Sequence, residues 1–312
     1  MRRIRALIVL SLLALITGTT ASAGTAAHAD PVSNLLGTVT SALGVTGGTD
    51  DVVSLPFDGA QRSYRAFVPT DLPAGPRPVV VFLHWLSGSA ADAEQSTQLD
   101  VGATVAHAIV VYPDGLTRSW NAGTCCAPAS TNGNDDVGFI DAVLDDVSGR
   151  FSVDASRIAV GGFSNGGMLA YRYACERSAR VTTFFMGSAV PLSSTCHFDQ
   201  PVAILDMQGA NDTTVPWAGT RTSSLVAGGV LAPVLGALGG MAWFDGCGPL
   251  SSSVVSALVT RYVATSCPTG ASVTLERSAT MPHTWATGPN APLLYGIDET
   301  WRAWGFVSTR WR

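Results

Sequence analysis

The run Arg157-Ile158-Ala159-Val160 passes at once into Gly161-Gly162-Phe163-Ser164-Asn165-Gly166-Gly167 and then into a helical pattern. A chain can leave an apolar strand and enter a helix this abruptly only where two backbones come very close, and glycine tolerates that approach. Gly162-Phe163-Ser164-Asn165-Gly166 fits G-x-S-x-G, a strand–turn–helix that holds a serine at its tip with the hydroxyl exposed above a sheet. In a chain with 33 glycines the pentapeptide alone says little. Its place between an apolar strand and a helix gives it weight. The turn predicts an α/β protein with Ser164 at the C-terminal end of a strand in a mostly parallel sheet.

The rest of the pattern agrees. Residues 77–84 and 108–113 are continuous apolar runs, as in strands buried on both faces, and residues 201–209 form another. Residues 51–57 and 62–69 read as two antiparallel starting strands, and residues 271–278 as the last strand. Between them, residues 90–106 read as a helix. Val137, Ile140, Leu144 and Val147 share one helical face, with acids in the first turn. A helix is expected from the serine turn to Arg177, and another over residues 298–306. Residues 114–135 are expected to be a long surface loop. Residues 222–244 are nearly uncharged, but Gly228, Gly229, Pro233, Gly236, Gly239 and Gly240 interrupt them, so a covering helix or helix pair is expected rather than a membrane span. Strands alternating with helices predict helices on both faces of the sheet.

A serine hydroxyl becomes a nucleophile when a base removes its proton, and a carboxylate must orient that base. After Ser164 only His197 and His283 remain as bases. His283 lies just past the last expected strand, where a catalytic loop belongs; His197 reads as a surface residue. Asp206 lies within an apolar strand and Asp212 in the loop at its C-terminal end, so Asp212 is the better orienting acid and Asp206 a candidate structural one. The oxyanion donors are expected to be the backbone N–H of Asn165 and that of Trp85 or Leu86. His84 is expected to tie its loop down. Trp85, Trp120, Trp217 and Trp285 fall in loops near the expected site and are candidates for its walls.

The chain opens with Arg2, Arg3 and Arg5, an apolar run over residues 6–16, and small-x-small sites at residues 21–23 and 27–29. This is the pattern of a secretory signal peptide, with cleavage expected after Ala29. Residues 30–50 are expected to be a loose arm, and residues 51–312 one catalytic domain. The formal charge is −5, and losing three arginines would make it more negative. Nucleic acid and anionic membranes are therefore not expected partners. All 18 basic residues are arginine, which excludes a Schiff-base or P-loop lysine. Six cysteines with an export signal predict disulfides, with fifteen possible pairings, and no C-x-x-C spacing points to a metal.

Several stretches resemble secreted esterases of the polyhydroxybutyrate depolymerase and feruloyl esterase type, which are α/β-hydrolases. They are VVVFLH, SWNAGTCCAPAS, the block from Trp120 to Glu176, GANDTTVPW, DGC with SCPTGASVTL, and HTW. The resemblance implies Ser164, Asp212 and His283 as the catalytic triad. It implies bridges Cys175–Cys196 and Cys247–Cys267, leaving Cys125 and Cys126 to bridge each other or stay free. Trp85 stands where the family has glycine after His84, and Met281-Pro282 where it tends to have glycines. The expected protein is a secreted, monomeric serine esterase that needs no cofactor or metal. Its expected substrate is a short-chain or polymeric hydroxyalkanoate ester; the alternative is a feruloyl or acetyl ester on plant polysaccharide. A non-catalytic binding protein on a degenerate hydrolase scaffold is the competing class, and an intact Ser, Asp and His set argues against it.

Overall fold

Apolar runs that cannot face water on either side become the middle of a ten-stranded sheet. The computed structural model describes residues 47–220 and 229–311. Strands β1 (Gly48–Phe57), β2 (Ala60–Pro69), β3 (Arg77–Leu83), β4 (Ile109–Pro113), β5 (Val153–Phe163), β6 (Thr183–Gly187), β7 (Ala203–Gly209), β8 (Leu250–Val254), β9 (Val259–Ala264) and β10 (Ser272–Ser278) lie in the order β1-β2-β4-β3-β5-β6-β7-β10-β9-β8. The six strands from β4 to β10 in that order run parallel. Antiparallel pairs close both flanks.

Side chains alternate across each strand. Val79, Val81 and Leu83 of β3 enter one core, and Val80 and Phe82 the other; Phe184 and Met186 oppose Phe185 in the same way on β6. Helices α4 (Asp136–Arg150), α5 (Asn165–Arg177) and α6 (Val234–Phe244) cover the first face, with Val137, Met168 and Leu238 buried against it. Helices α1 (Ala90–Thr97), α2 (Leu99–Ala106) and α8 (Glu299–Arg310) cover the second, through Ala93, Leu99 and Trp304. Short helices α3 (Ala129–Asn132) and α7 (Ala291–Tyr295) complete the set, and no described helix is long and apolar enough to cross a membrane.

The structure departs from expectation in four places. Residues 90–106 form two helices, because Gln98 takes a left-handed conformation (φ 54°) between them. The β8–β9 hairpin was not anticipated; the burial of β8 shows why, since four of its five residues are exposed and carry no apolar pattern. The stretch 114–135 is a surface loop only in part. Trp120, Cys125, Cys126 and Ala129 are buried, and hydrogen bonds to neighbouring loops replace a sheet ladder. Asn121 N–H donates to Asp136 Oδ2 at 2.7 Å, and Asp136 is itself paired with buried Arg62 at 2.8 Å. Finally, β1 begins at Gly48, inside the segment expected as an arm. The signal peptide over 1–29, the arm up to residue 46 and residues 221–228 of the apolar stretch lie outside the described residues. Bridges join Cys175 to Cys196, Cys247 to Cys267, and Cys125 to Cys126.

On β7, Asp206 is wholly buried. It accepts from the Tyr171 hydroxyl of α5 and from Gln208 Nε2, the latter at 2.7 Å. Burial pushes its carboxyl up to about 7, despite those two donors. The folded state therefore holds this proton more tightly than the unfolded chain does. The stabilisation is complete below the unfolded aspartate value of about 4 and is lost as pH rises through about 7. Asp206→Asn should make the urea midpoint fall less between about pH 5 and about pH 8 than it does in the wild type. An unchanged pH slope would show that Asp206 carries no such proton.

Candidate active site

Because β3, β5, β6, β7 and β10 run parallel, the residues that follow them gather at one edge of the sheet. The turn after β5 shows what its glycines do. A Cβ on Gly166 would lie 2.1 Å from the Leu83 carbonyl oxygen, and one on Gly162 would lie 2.5 Å from the Gly166 carbonyl carbon. Neither contact can be relieved by moving a side chain, since both partners are backbone. The chain is thereby forced through a sharp corner, and Ser164 occupies it at φ 54°, ψ −121°. Its N–H donates to Gly187 O at 3.0 Å, and its carbonyl accepts from Met168 N at 2.9 Å. A non-glycine residue in this region is strained, and only tight surroundings hold it there.

The three residues separated in sequence meet at this corner. His283 Nε2 lies 3.0 Å from Ser164 Oγ, and His283 Nδ1 lies 2.7 Å from Asp212 Oδ2. The other carboxylate oxygen of Asp212 accepts two backbone N–H groups, from Thr214 and Val215, each at 2.8 Å. The Asp212 side chain is fully buried, while His283 keeps 21% of its side chain exposed. The loops holding these residues are tied together: Asn211 N–H donates to Met281 O at 3.1 Å, and Asn211 Nδ2 donates to Thr280 O at 3.2 Å. The Phe163 ring lies 4.9 Å from the imidazole and limits its tilt. Asp206, the other acid weighed for this role, bonds to Tyr171 and Gln208 instead. His197 is 88% exposed, beside Asp199.

Asn165 begins α5, so its N–H has no i−4 partner within the helix and sits at the positive end of the helix dipole. Its side chain is otherwise engaged: Oδ1 accepts from Trp120 N at 2.8 Å and Nδ2 donates to Trp120 O at 2.9 Å. His84 ties its loop down: Nδ1–H donates to Trp85 O at 2.7 Å, while Nε2 accepts from Gly115 N–H at 2.9 Å. Burial pushes its pKa down, which keeps it in the neutral form that can accept at Nε2. Trp85 does not take the left-handed angles open to glycine; Ser87, two residues on, does (φ 66°).

A cavity of about 470 Å³ opens over Ser164 and His283. Trp85, Leu86, Phe163, Trp285, Ser96 and Thr214 line it, with Thr284. Two of the four candidate tryptophans are therefore elsewhere. Trp120 is fully buried, with Nε1 donating to His84 O at 2.8 Å, so it braces the loop from beneath. Trp217 packs against Tyr262 at 5.8 Å, under the Arg277 guanidinium. Phe163 was missed although it is the second residue of the serine motif; its position beside Ser164 was the available signal. Ser96 and Thr214 carried none. Among the described residues, Asp50, Glu94 and Asp100 are the acids close enough to share a cation, but Arg65 and Tyr112 already engage two of them.

No protein-family profile matches the chain. A probable feruloyl esterase C of Aspergillus niger is 31% identical over 164 residues, 51% of this chain and 57% of the relative. Feruloyl esterase C of Emericella nidulans is 32% identical over 168 residues, 52% of this chain and 58% of the relative. The chain spans about half the length of the curated relatives it matches. Among solved structures, an acetyl xylan esterase from Aspergillus awamori superposes with a TM-score of 0.59 at 15% identity, over 83% of this chain and 100% of that one. That likeness speaks for the fold alone. The chain is thus similar in sequence to feruloyl esterases over about half of its length, and its sheet is that of an α/β-hydrolase fold.

Proposed function

We propose that this protein is an exported serine esterase that cleaves feruloyl or acetyl esters on plant polysaccharide, with residues 48–312 as its catalytic domain. The observation that carries the reading is the unbroken line of contacts from Asp212 through His283 to Ser164 Oγ, opening into a cavity. His283 Nε2 takes the Ser164 proton as Oγ attacks the ester carbonyl carbon. Asp212 keeps Nδ1 protonated and balances the imidazolium that forms. The Asn165 N–H, with that of Trp85 or Leu86, holds the oxyanion. His283 then protonates the departing alkoxide, and water repeats the sequence to release the acid. The three disulfides fit an oxidising, extracellular setting.

The substrate reading shifts from the hydroxyalkanoate ester expected first to the feruloyl or acetyl alternative. Two features support the shift. The relatives carry feruloyl esterase names. The cavity also has the aromatic faces of Trp85, Phe163 and Trp285 beside Ser164, which suit a flat ring in an acyl group.

Purified protein tested on methyl ferulate, acetylated xylan and amorphous polyhydroxybutyrate should hydrolyse one of the first two fastest. Asp212→Asn should lower kcat about 10⁴-fold, and Ser164→Ala at least as much. Absence of a fluorophosphonate adduct on Ser164 in folded protein would favour the binding-protein class instead. Trp85→Ala should raise KM for methyl ferulate about 3- to 10-fold while changing that for p-nitrophenyl acetate little. Equal effects on both esters would remove Trp85 from the acyl-binding wall.

A further inference from the structure

The loop that carries His283 leaves β10 and is gripped from below by the first turn of α8, residue by residue. Asp298 Oδ2 accepts from Gly288 N–H at 3.1 Å, and its Oδ1 caps the helix by accepting from Trp301 N–H at 3.1 Å. Thr300 Oγ1 accepts from Trp285 Nε1 at 3.0 Å and donates to Thr97 O. Between them, Glu299 makes a reciprocal pair with Ala286. Its N–H donates to Ala286 O at 2.7 Å, and its Oε2 accepts from Ala286 N–H. The N-cap and the first two residues of α8 thus hold the segment that starts two residues after His283.

Glu299 differs from its neighbours. It is wholly buried and carries a titratable group beside the apolar residues of the second core. Its Oε1 has no hydrogen-bond partner and presses against Gly187, where an added Cβ would lie 2.7 Å away. That glycine carbonyl receives the Ser164 N–H. The Glu299 carboxyl therefore touches both ends of the site: the loop bearing His283 and the strand end that holds the serine. Gln could make the same contact with Ala286. An apolar residue would waste the Ala286 N–H, and an ionised carboxylate would put a second buried charge near Asp212. Burial pushes the Glu299 carboxyl well up, the Ala286 N–H opposes that rise, and Asp206, Asp298 and Asp212 add to it, all of which favours the neutral form on balance.

We propose that Glu299 is a positioning residue: through Ala286 it sets the depth of the His283 loop, so that Nε2 stays within reach of Ser164 Oγ. The same grip fixes Trp285, whose indole packs edge-on against Phe82 at 5.0 Å and lines the cavity. Glu299 thereby links the proton-transfer distance to the shape of the acyl wall. The inference rests on the esterase reading for its kinetic readout, though not for its spectroscopic one.

The test uses the full exported protein and its Glu299→Ala and Glu299→Gln variants, with folding checked by circular dichroism. Three quantities are read: kcat and KM on p-nitrophenyl acetate, the rate of fluorophosphonate labelling of Ser164, and the low-field proton resonance of the His283 Nδ1–H shared with Asp212. Glu299→Ala should lower kcat and labelling about 10- to 100-fold with KM within threefold, and shift or broaden the resonance. Glu299→Gln should restore all three to within threefold of wild type. A purely structural role would lower the melting temperature of Glu299→Ala and leave kcat of the folded protein untouched; that result overturns the proposal. So does a Glu299→Gln variant with kcat down tenfold or more, which also decides the matter if Glu299→Ala does not fold. If the wild type neither hydrolyses esters nor labels, the esterase reading fails, and the resonance alone judges Glu299: unaltered in Glu299→Ala, it overturns the proposal.

Discussion

Backbone lies on backbone where Gly166 meets the carbonyl groups of Leu83 and His84, and the geometry of the site descends from that contact. No side chain fits there, so α5 can start immediately at the end of β5 and press its N-terminus against the end of β3. The corner this leaves for Ser164 has a positive φ that serine would not otherwise choose. Asn165, next in line, spends its side chain on the backbone of Trp120, which in turn reaches the His84 carbonyl. One close approach thus locks three loops together and leaves the Asn165 N–H at the helix end, next to Ser164.

The interior acids differ in what satisfies them. Glu276 is nearly inaccessible and sits between Arg261 and Arg302. Asp136 takes Arg62 and a backbone N–H. Asp206 has only neutral donors, and burial raises its pKa accordingly. Asp212 receives two backbone N–H groups on one oxygen and an imidazole on the other. That arrangement holds the carboxylate in place and can fix one tautomer of a histidine. Arginine supplies every interior cation of these pairs, and its planar fork can meet both a carboxylate and a ring: Arg62 lies 3.7 Å over Phe139 while holding Asp136.

The aromatic residues were harder to place than the acids. Trp85, Trp120, Trp217 and Trp285 stand in similar polar, turn-rich surroundings along the chain, and nothing local separates a pocket wall from a loop brace. Trp120 is a brace because the stretch 114–135 folds inward over α5, a long-range event that its Gly, Asn and Pro content conceals. Phe163 joins the wall because the corner at Ser164 directs its ring toward His283.

Local chemistry was enough for the parallel strands and the serine corner, and for the expectation that His283 and Asp212, rather than His197 and Asp206, would lie beside Ser164. Each depends on side-chain period, on glycine's freedom, or on position relative to a strand end, and all of these are written into a few neighbouring residues. Tertiary structure alone decided the distances from Asp212 to His283 and from His283 to Ser164, the inward path of residues 114–135, the exposed β8–β9 hairpin, and the hold of Glu299 on Ala286. Those depend on contacts between segments tens to hundreds of residues apart, where packing and the pairing of buried polar groups, rather than any local pattern, select the arrangement.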